Sequence, residues 1–229
     1  MDHTYKKDFK YKHDNPYHDK LEAFSQFVMR DEEAEVHQGN WNQNVFKRDG
    51  RLLAEIGTGY GHFMLDYCRD HADHNFIGMD YRFKRSFNLA RKLAQQPHDN
   101  FRYLRARGER IEYMFNESEL DGLFYFFPDP WPKARHLKKR LFQRPFIQAA
   151  SKVLKPGATL WVKTDHDGYA EWMEEVIKNS PEFECVMATK DLRVEFPEHF
   201  LSQYMTKFEK IFVGQNIPIK AFELKNLKG

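Results

Sequence analysis

From Gly122 to Phe127 the chain reads Gly-Leu-Phe-Tyr-Phe-Phe, an apolar run with no polar position on either face. A strand that alternates apolar and polar residues can leave one face in water; this one cannot. It demands a sheet covered on both sides, and helices in β-α-β crossovers are the usual cover. The flanking sequence supplies that alternation. Strands are predicted at 51–56, 75–80, 100–105, 122–127, 158–164, 183–189 and 207–213, with helices at 63–69, 84–94, 137–154 and 170–179. The last two strands have no helix between them long enough for a parallel crossover. The expected fold is therefore α/β: a doubly wound, mostly parallel seven-stranded sheet with an antiparallel strand pair at one edge.

With 229 residues the chain suits one large domain, assigned to 51–229. Residues 1–50 are polar and aperiodic apart from an apolar spacing near Leu21–Met29 that suits a helix, and they are expected to form an extension packed on that domain. The start, Met1-Asp-His-Thr-Tyr-Lys-Lys, has no apolar signal core, and no apolar run approaches the ~20 residues that span a bilayer. Cys68 and Cys185 are too few for a disulfide framework or a cysteine metal site, and His3, His13, His18 and His37 share no ligand spacing and are read as surface histidines. A cytoplasmic protein with no membrane contact and no metal is expected.

Between the first predicted strand and helix lies Glu55-Ile-Gly57-Thr-Gly59-Tyr-Gly61-His62. Glycines at such a turn allow positive φ and let a ligand approach the backbone. The spacing is neither a P-loop nor a full dinucleotide fingerprint, which wants a small residue where His62 stands. Glu55 would repel a phosphate but suits a cationic amino acid headgroup. Asp80 closes the second strand, where a carboxylate can accept hydrogen bonds from both hydroxyls of a ribose. S-adenosylmethionine (AdoMet) has a sulfonium, an amino group and a ribose, and no phosphate.

After the buried strand comes Pro128-Asp129-Pro130-Trp131-Pro132-Lys133. The prolines fix φ on either side of Asp129 and push Asp129 toward an extended backbone, so its carboxylate has little freedom to lose on binding. The formal net charge of +2 hides strong segregation. Residues 81–110 hold nine Lys/Arg against two acids (+7), and 129–144 hold six against one (+5), while 171–198 hold three against eight (−5). A basic face on a near-neutral chain is a footprint for a polyanion.

Phe126–Lys133, the following Ala134-Arg135-His136-Leu137-Lys138-Lys139-Arg140, and Thr206-Lys207-Phe208-Glu209 together resemble the bacterial tRNA (guanine-N7-)-methyltransferase family. The resemblance runs from about residue 51 to 213. It implies a class I, Rossmann-like methyltransferase domain that uses AdoMet to methylate guanosine 46 in the tRNA variable loop. By the same likeness Asp129 is the catalytic residue, and Glu55, Gly57, Gly59, Gly61, Asp80, Arg107 and Asp129 hold the cofactor. Lys133, Asp165, Thr206, Lys207, Phe208 and Glu209 contact the substrate, and Arg135, His136, Lys138, Lys139 and Arg140 the RNA backbone. Arg107 stands where the family usually has Asp or Asn, with Glu109 two residues on. Two other readings use the same residues: an AdoMet enzyme acting on an exocyclic amine of another nucleic acid, and an RNA-binding relative without activity.

Overall fold

The computed structural model describes residues 16–228, so His3 and His13 lie outside the described residues. Eight strands form one sheet: β1 (Val28–Arg30), β2 (Leu52–Ile56), β3 (Asn75–Met79), β4 (Phe101–Arg105), β5 (Leu120–Phe126), β6 (Leu154–Thr164), β7 (Phe183–Thr189) and β8 (Lys220–Asn226). Their order is β1-β4-β3-β2-β5-β6-β8-β7, parallel except where β8 pairs antiparallel with both β6 and β7. The five helices of eight or more residues among the described residues are α1 (His62–Asp70), α2 (Phe83–Leu93), α3 (Arg144–Val153), α4 (Asp167–Lys178) and α5 (Lys207–Gly214).

Both faces of β5 are buried, as its composition demands. Leu123 and Tyr125 join a core with Ile147 and Ala150 of α3 and Tyr169 and Met173 of α4. Phe124 and Phe126 join the opposite core with Phe63 and Tyr67 of α1, Leu89 and Leu93 of α2, and the 201–204 segment. Phe63 makes edge-to-face contacts with both Phe124 and Phe126, with centroids 4.8 and 4.9 Å away, a favoured arrangement of aromatic quadrupoles. None of the described helices is long and apolar enough to cross a membrane.

The structure departs from expectation in five places. First, the sheet has eight strands among the described residues, because Val28–Arg30 adds a parallel edge strand beside β4. The apolar residues near Leu21 form only a 3₁₀ turn (Glu22–Phe24) ahead of it. The 16–50 segment is thus built into the sheet: Trp41 is fully buried with its indole N–H donating to the Met114 carbonyl, and Asp31 pairs with Arg105 and Arg110. Second, the predicted strand at 207–213 is helix α5, and the last strand lies at 220–226. Its apolar residues suit either period, and the Thr206 side chain decides by accepting a hydrogen bond from the Glu209 N–H as an N-cap. Third, the predicted helix 137–154 is two pieces, a 3₁₀ helix at Ala134–Lys139 and α3 from Arg144. Pro145 lacks the donor that a helix interior needs and is placed at its first turn. Fourth, β6 begins at Leu154 rather than 158. Fifth, His37 is half-buried and packs against Trp41, with ring centroids 5.4 Å apart and planes tilted by 53°.

Candidate active site

The chain runs outward from β2 in both directions, through β3 and β4 on one side and β5 and β6 on the other, so the switch point lies between β2 and β5. Ligands in such sheets bind beyond the carboxyl ends of the strands at that crevice. A cavity of about 1050 Å³ opens there. All five strand ends contribute to its wall: the Gly57–Tyr60 loop after β2, Asp80 after β3, Arg107 after β4, Asp129 after β5 and Asp165 after β6.

Gly57 holds φ +83°, and a Cβ there would point into open space. Gly61 holds φ +71° at the start of α1, and a Cβ would sit 2.5 Å from Leu89 Cδ1. The first glycine keeps the backbone bare toward the cavity; the last lets α1 lie against α2. Glu55, on β2 just before this loop, is 3% exposed, lines the cavity, and its Oε2 has no hydrogen-bond partner. Burial pushes its carboxyl up to about 8, with Thr58 and Lys163 opposing the rise. Asp80 is also buried; its Oδ2 accepts from Gly59 N–H at 3.1 Å and its Oδ1 from Arg82 N–H at 2.9 Å. A carboxylate offers about four lone-pair sites, so two are left over, and Asp80 lines the cavity. Burial raises its pKa while these backbone donors and Arg85 lower it. A buried acceptor without a donor, a bare glycine cradle and a diol-competent carboxylate together fit a ligand carrying an ammonium group and a ribose. Arg107 lies with its guanidinium 4.6 Å from the Tyr81 ring, and Glu109 beside it also faces the cavity.

The Pro-Asp-Pro loop is held at both ends by unusual backbone. Phe127 (φ +50°) and Trp131 (φ +44°) are left-handed, a conformation costly for bulky residues and characteristic of positions that the surroundings over-determine. Phe127 N–H donates to the Lys163 carbonyl, and Lys139 Nζ sits 4.5 Å from the Trp131 ring. Arg140, expected at the RNA backbone, borders the cavity and also clamps the loop. It is 5% exposed, its Nε donates to the Pro130 carbonyl at 2.8 Å, and its guanidinium lies over Tyr169 and Trp172. Asp129 remains exposed on the cavity wall with Arg82 3.6 Å away. Lys138 and Lys139 line the cavity; Lys133 and Arg135 are exposed outside it, and His136 packs edge-on against Trp131.

Thr206, Lys207 and Phe208 reach the cavity, but Glu209 does not. It is fully buried, with Oε2 2.6 Å from Lys163 Nζ and Oε1 2.6 Å from Arg193. Lys163 Nζ also donates to the carbonyls of Leu201 and Tyr204. Glu209, expected among the substrate contacts, lies outside the cavity wall, and its two ion pairs fix α5, and with it Thr206–Phe208, to β6. The Thr-x-x-Glu spacing of a helix start was the available signal. Lys163→Met should destabilise the fold by about 3–5 kcal/mol, because removing one partner of a buried pair strands the other. Denaturant unfolding measures this, and the double variant Lys163→Met/Glu209→Gln should recover part of the loss; additive losses would show that the pair is not coupled.

Fold and site define a methyltransferase of the doubly wound class. The fold matches that of the 16S rRNA methyltransferase KamB, with a TM-score of 0.58 and 17% identity over 77% of this chain and 87% of that one. A family model described as putative methyltransferase matches residues 49–222. The tRNA (guanine-N(7)-)-methyltransferase of Levilactobacillus brevis is 34% identical over 78% of this chain and 83% of its own length. A bifunctional glycosyltransferase/methyltransferase of Fusobacterium nucleatum is 30% identical over 93% of this chain, which spans only 33% of that longer protein. The chain belongs to the tRNA (guanine-N7-)-methyltransferase family.

Proposed function

We propose that this chain transfers the methyl group of AdoMet to N7 of guanine in tRNA, at position 46 of the variable loop. The observation that carries this reading is one cavity walled by the buried Glu55, whose Oε2 has no hydrogen-bond partner, the ribose-competent Asp80 and the rigid Asp129 loop. Family membership supports it. Bound AdoMet supplies an electrophilic methyl group on a sulfonium. Glu55 receives the ammonium of its amino acid end, the Gly57, Gly59 and Gly61 backbone makes room, and Asp80 takes the ribose hydroxyls. Glu109 is the acceptor for the adenine amine, with Arg107 and Tyr81 forming the wall beside it.

Guanine N7 carries a lone pair and no proton, so no general base is needed. The residues must align N7 and exclude water. The purine becomes cationic on methylation, and Asp129 stabilises that charge as it develops. Asp165 accepts from the Watson–Crick edge of guanine, which selects it over adenine. Lys133, Lys207 and Phe208 hold the surrounding nucleotide.

The test is incubation with labelled AdoMet and a tRNA transcript carrying guanosine at position 46, followed by chain cleavage at 7-methylguanosine. Cleavage at that position, lost in a transcript with adenosine there instead, is the expected result. Label at an exocyclic amine, or at a guanine elsewhere, would overturn the substrate assignment.

A further inference from the structure

The +7 block at 81–110 does not act as one patch. Arg102, Arg105 and Arg110 point into the core. Arg85 and Lys92 do not: they converge from α2 on Tyr60, the residue between the second and third glycines, at 6.0 and 5.9 Å from its ring centroid. Lys207, at the start of α5 more than a hundred residues later, reaches the same ring at 5.4 Å. Lys210, one turn further along α5, is exposed, and His62 opens α1 at this spot. Burial and the charges of Lys92, Lys207 and Lys210 hold the His62 imidazole below its ordinary range, with Asp66 opposing.

We infer that Lys92, Lys207 and Lys210, with Arg85, form a phosphate-binding bank around Tyr60 that holds the tRNA backbone on the far side of the cavity mouth from Lys138 and Lys139. The proposal rests on the tRNA reading above and deepens it. Lys207 and Lys210 are exposed side chains spread along a helix surface, which suits successive phosphates of a polyanion better than one enclosed anion. Tyr60 and Lys207 line the cavity while Lys92 and Lys210 lie beyond it, so the bank leads from the site outward. Arg85 is shared with Asp80, 3.7 Å away, and links this bank to the cofactor end. A strand held between the two banks can present one nucleotide to the cavity without base-specific contacts, because phosphate contacts position and base contacts specify.

The experiment measures tRNA affinity across a salt series for the full chain and for Lys92→Gln/Lys210→Gln, with AdoMet calorimetry on both. Neither residue lines the cavity, so AdoMet affinity should stay within about twofold, which also verifies folding. The slope of log Kd against log salt should shrink by about 1 for each phosphate contact removed. An unchanged slope in the variant, beside a steep one in the wild type, overturns the bank and leaves the tRNA reading standing. A wild type with no salt-dependent tRNA affinity overturns both. If the variant loses AdoMet as well, Lys207→Gln/Lys210→Gln repeats the measurement with the Lys92–Tyr60 carbonyl contact intact, and a wild-type slope there again overturns the bank.

Discussion

Asp129→Ala is expected to lower kcat by two to three orders of magnitude while tRNA Kd changes by less than about threefold. That is the usual size of the loss when one preorganised electrostatic group is removed from a site where charge develops. The structural reason for expecting so much from an exposed carboxylate is the loop that carries it. Pro128 and Pro130 fix the backbone on both sides, left-handed Phe127 and Trp131 bracket them, and Arg140 ties the Pro130 carbonyl to the α4 side of the fold. Such a carboxylate is already placed, so little ordering opposes its action in the transition state. Arg82, 3.6 Å away, holds it where the cavity opens. Binding of tRNA should survive, because affinity is carried by phosphate contacts elsewhere. Asp129→Asn keeps the shape and removes the charge, so it separates the two contributions: a loss as large as in the Ala variant assigns the effect to charge. Single-turnover methylation with saturating tRNA is the measurement, and near-normal turnover of the Ala variant would remove Asp129 from the chemistry.

The parts of the molecule legible in the sequence are those that one physical constraint determines alone. Residues 122–126 read as a strand buried on both faces, because the run is short, apolar and rich in aromatics, and Gly57–Gly61 reads as a turn after a strand. Asp80 and Asp129 then follow as strand-end residues at one edge of the sheet. What was hidden depends on competition between equals. Phe208, Ile211, Phe212 and Val213 satisfy a strand or a helix, and a single cap at Thr206 chooses. Glu209 sits in a motif that reaches the cavity, yet its side chain turns away to meet Lys163 from another strand, a pairing that no local pattern encodes. Charge was misleading in both directions. Arg105, Arg110 and Arg140 look like surface cations and are buried clamps, whereas Lys92 and Lys207 become neighbours only when α2 and α5 meet at Tyr60.

Glu55→Gln is expected to weaken AdoMet binding by about 10- to 150-fold and at the same time to stabilise the cofactor-free protein at alkaline pH. The loss follows from removing a charge-assisted hydrogen bond, about 1.5–3 kcal/mol. The gain follows from linkage. In the folded chain burial holds the Glu55 carboxyl at about 8, against an ordinary value of 4.5. Between those values the folded state keeps a proton that the unfolded state releases, so stability falls as pH rises across the window and levels off above about 8. Up to about 1.4 kcal/mol per pH unit is involved. Gln has no proton to lose. The variant should therefore match the wild type near pH 4.5 and melt at a higher temperature near pH 8, and its pH–stability curve should lack the wild-type decline. Binding an ammonium group reverses the preference in the wild type, since the carboxylate then gains a cationic partner. Below about pH 8 AdoMet binding should release a proton, visible as a calorimetric heat that changes with the ionisation enthalpy of the buffer, and the Gln variant should lack that part of the signal. Parallel stability curves for the two proteins would show that Glu55 is not protonated when the pocket is empty. Undiminished AdoMet affinity would show that the cationic end of the cofactor lies elsewhere in the cavity.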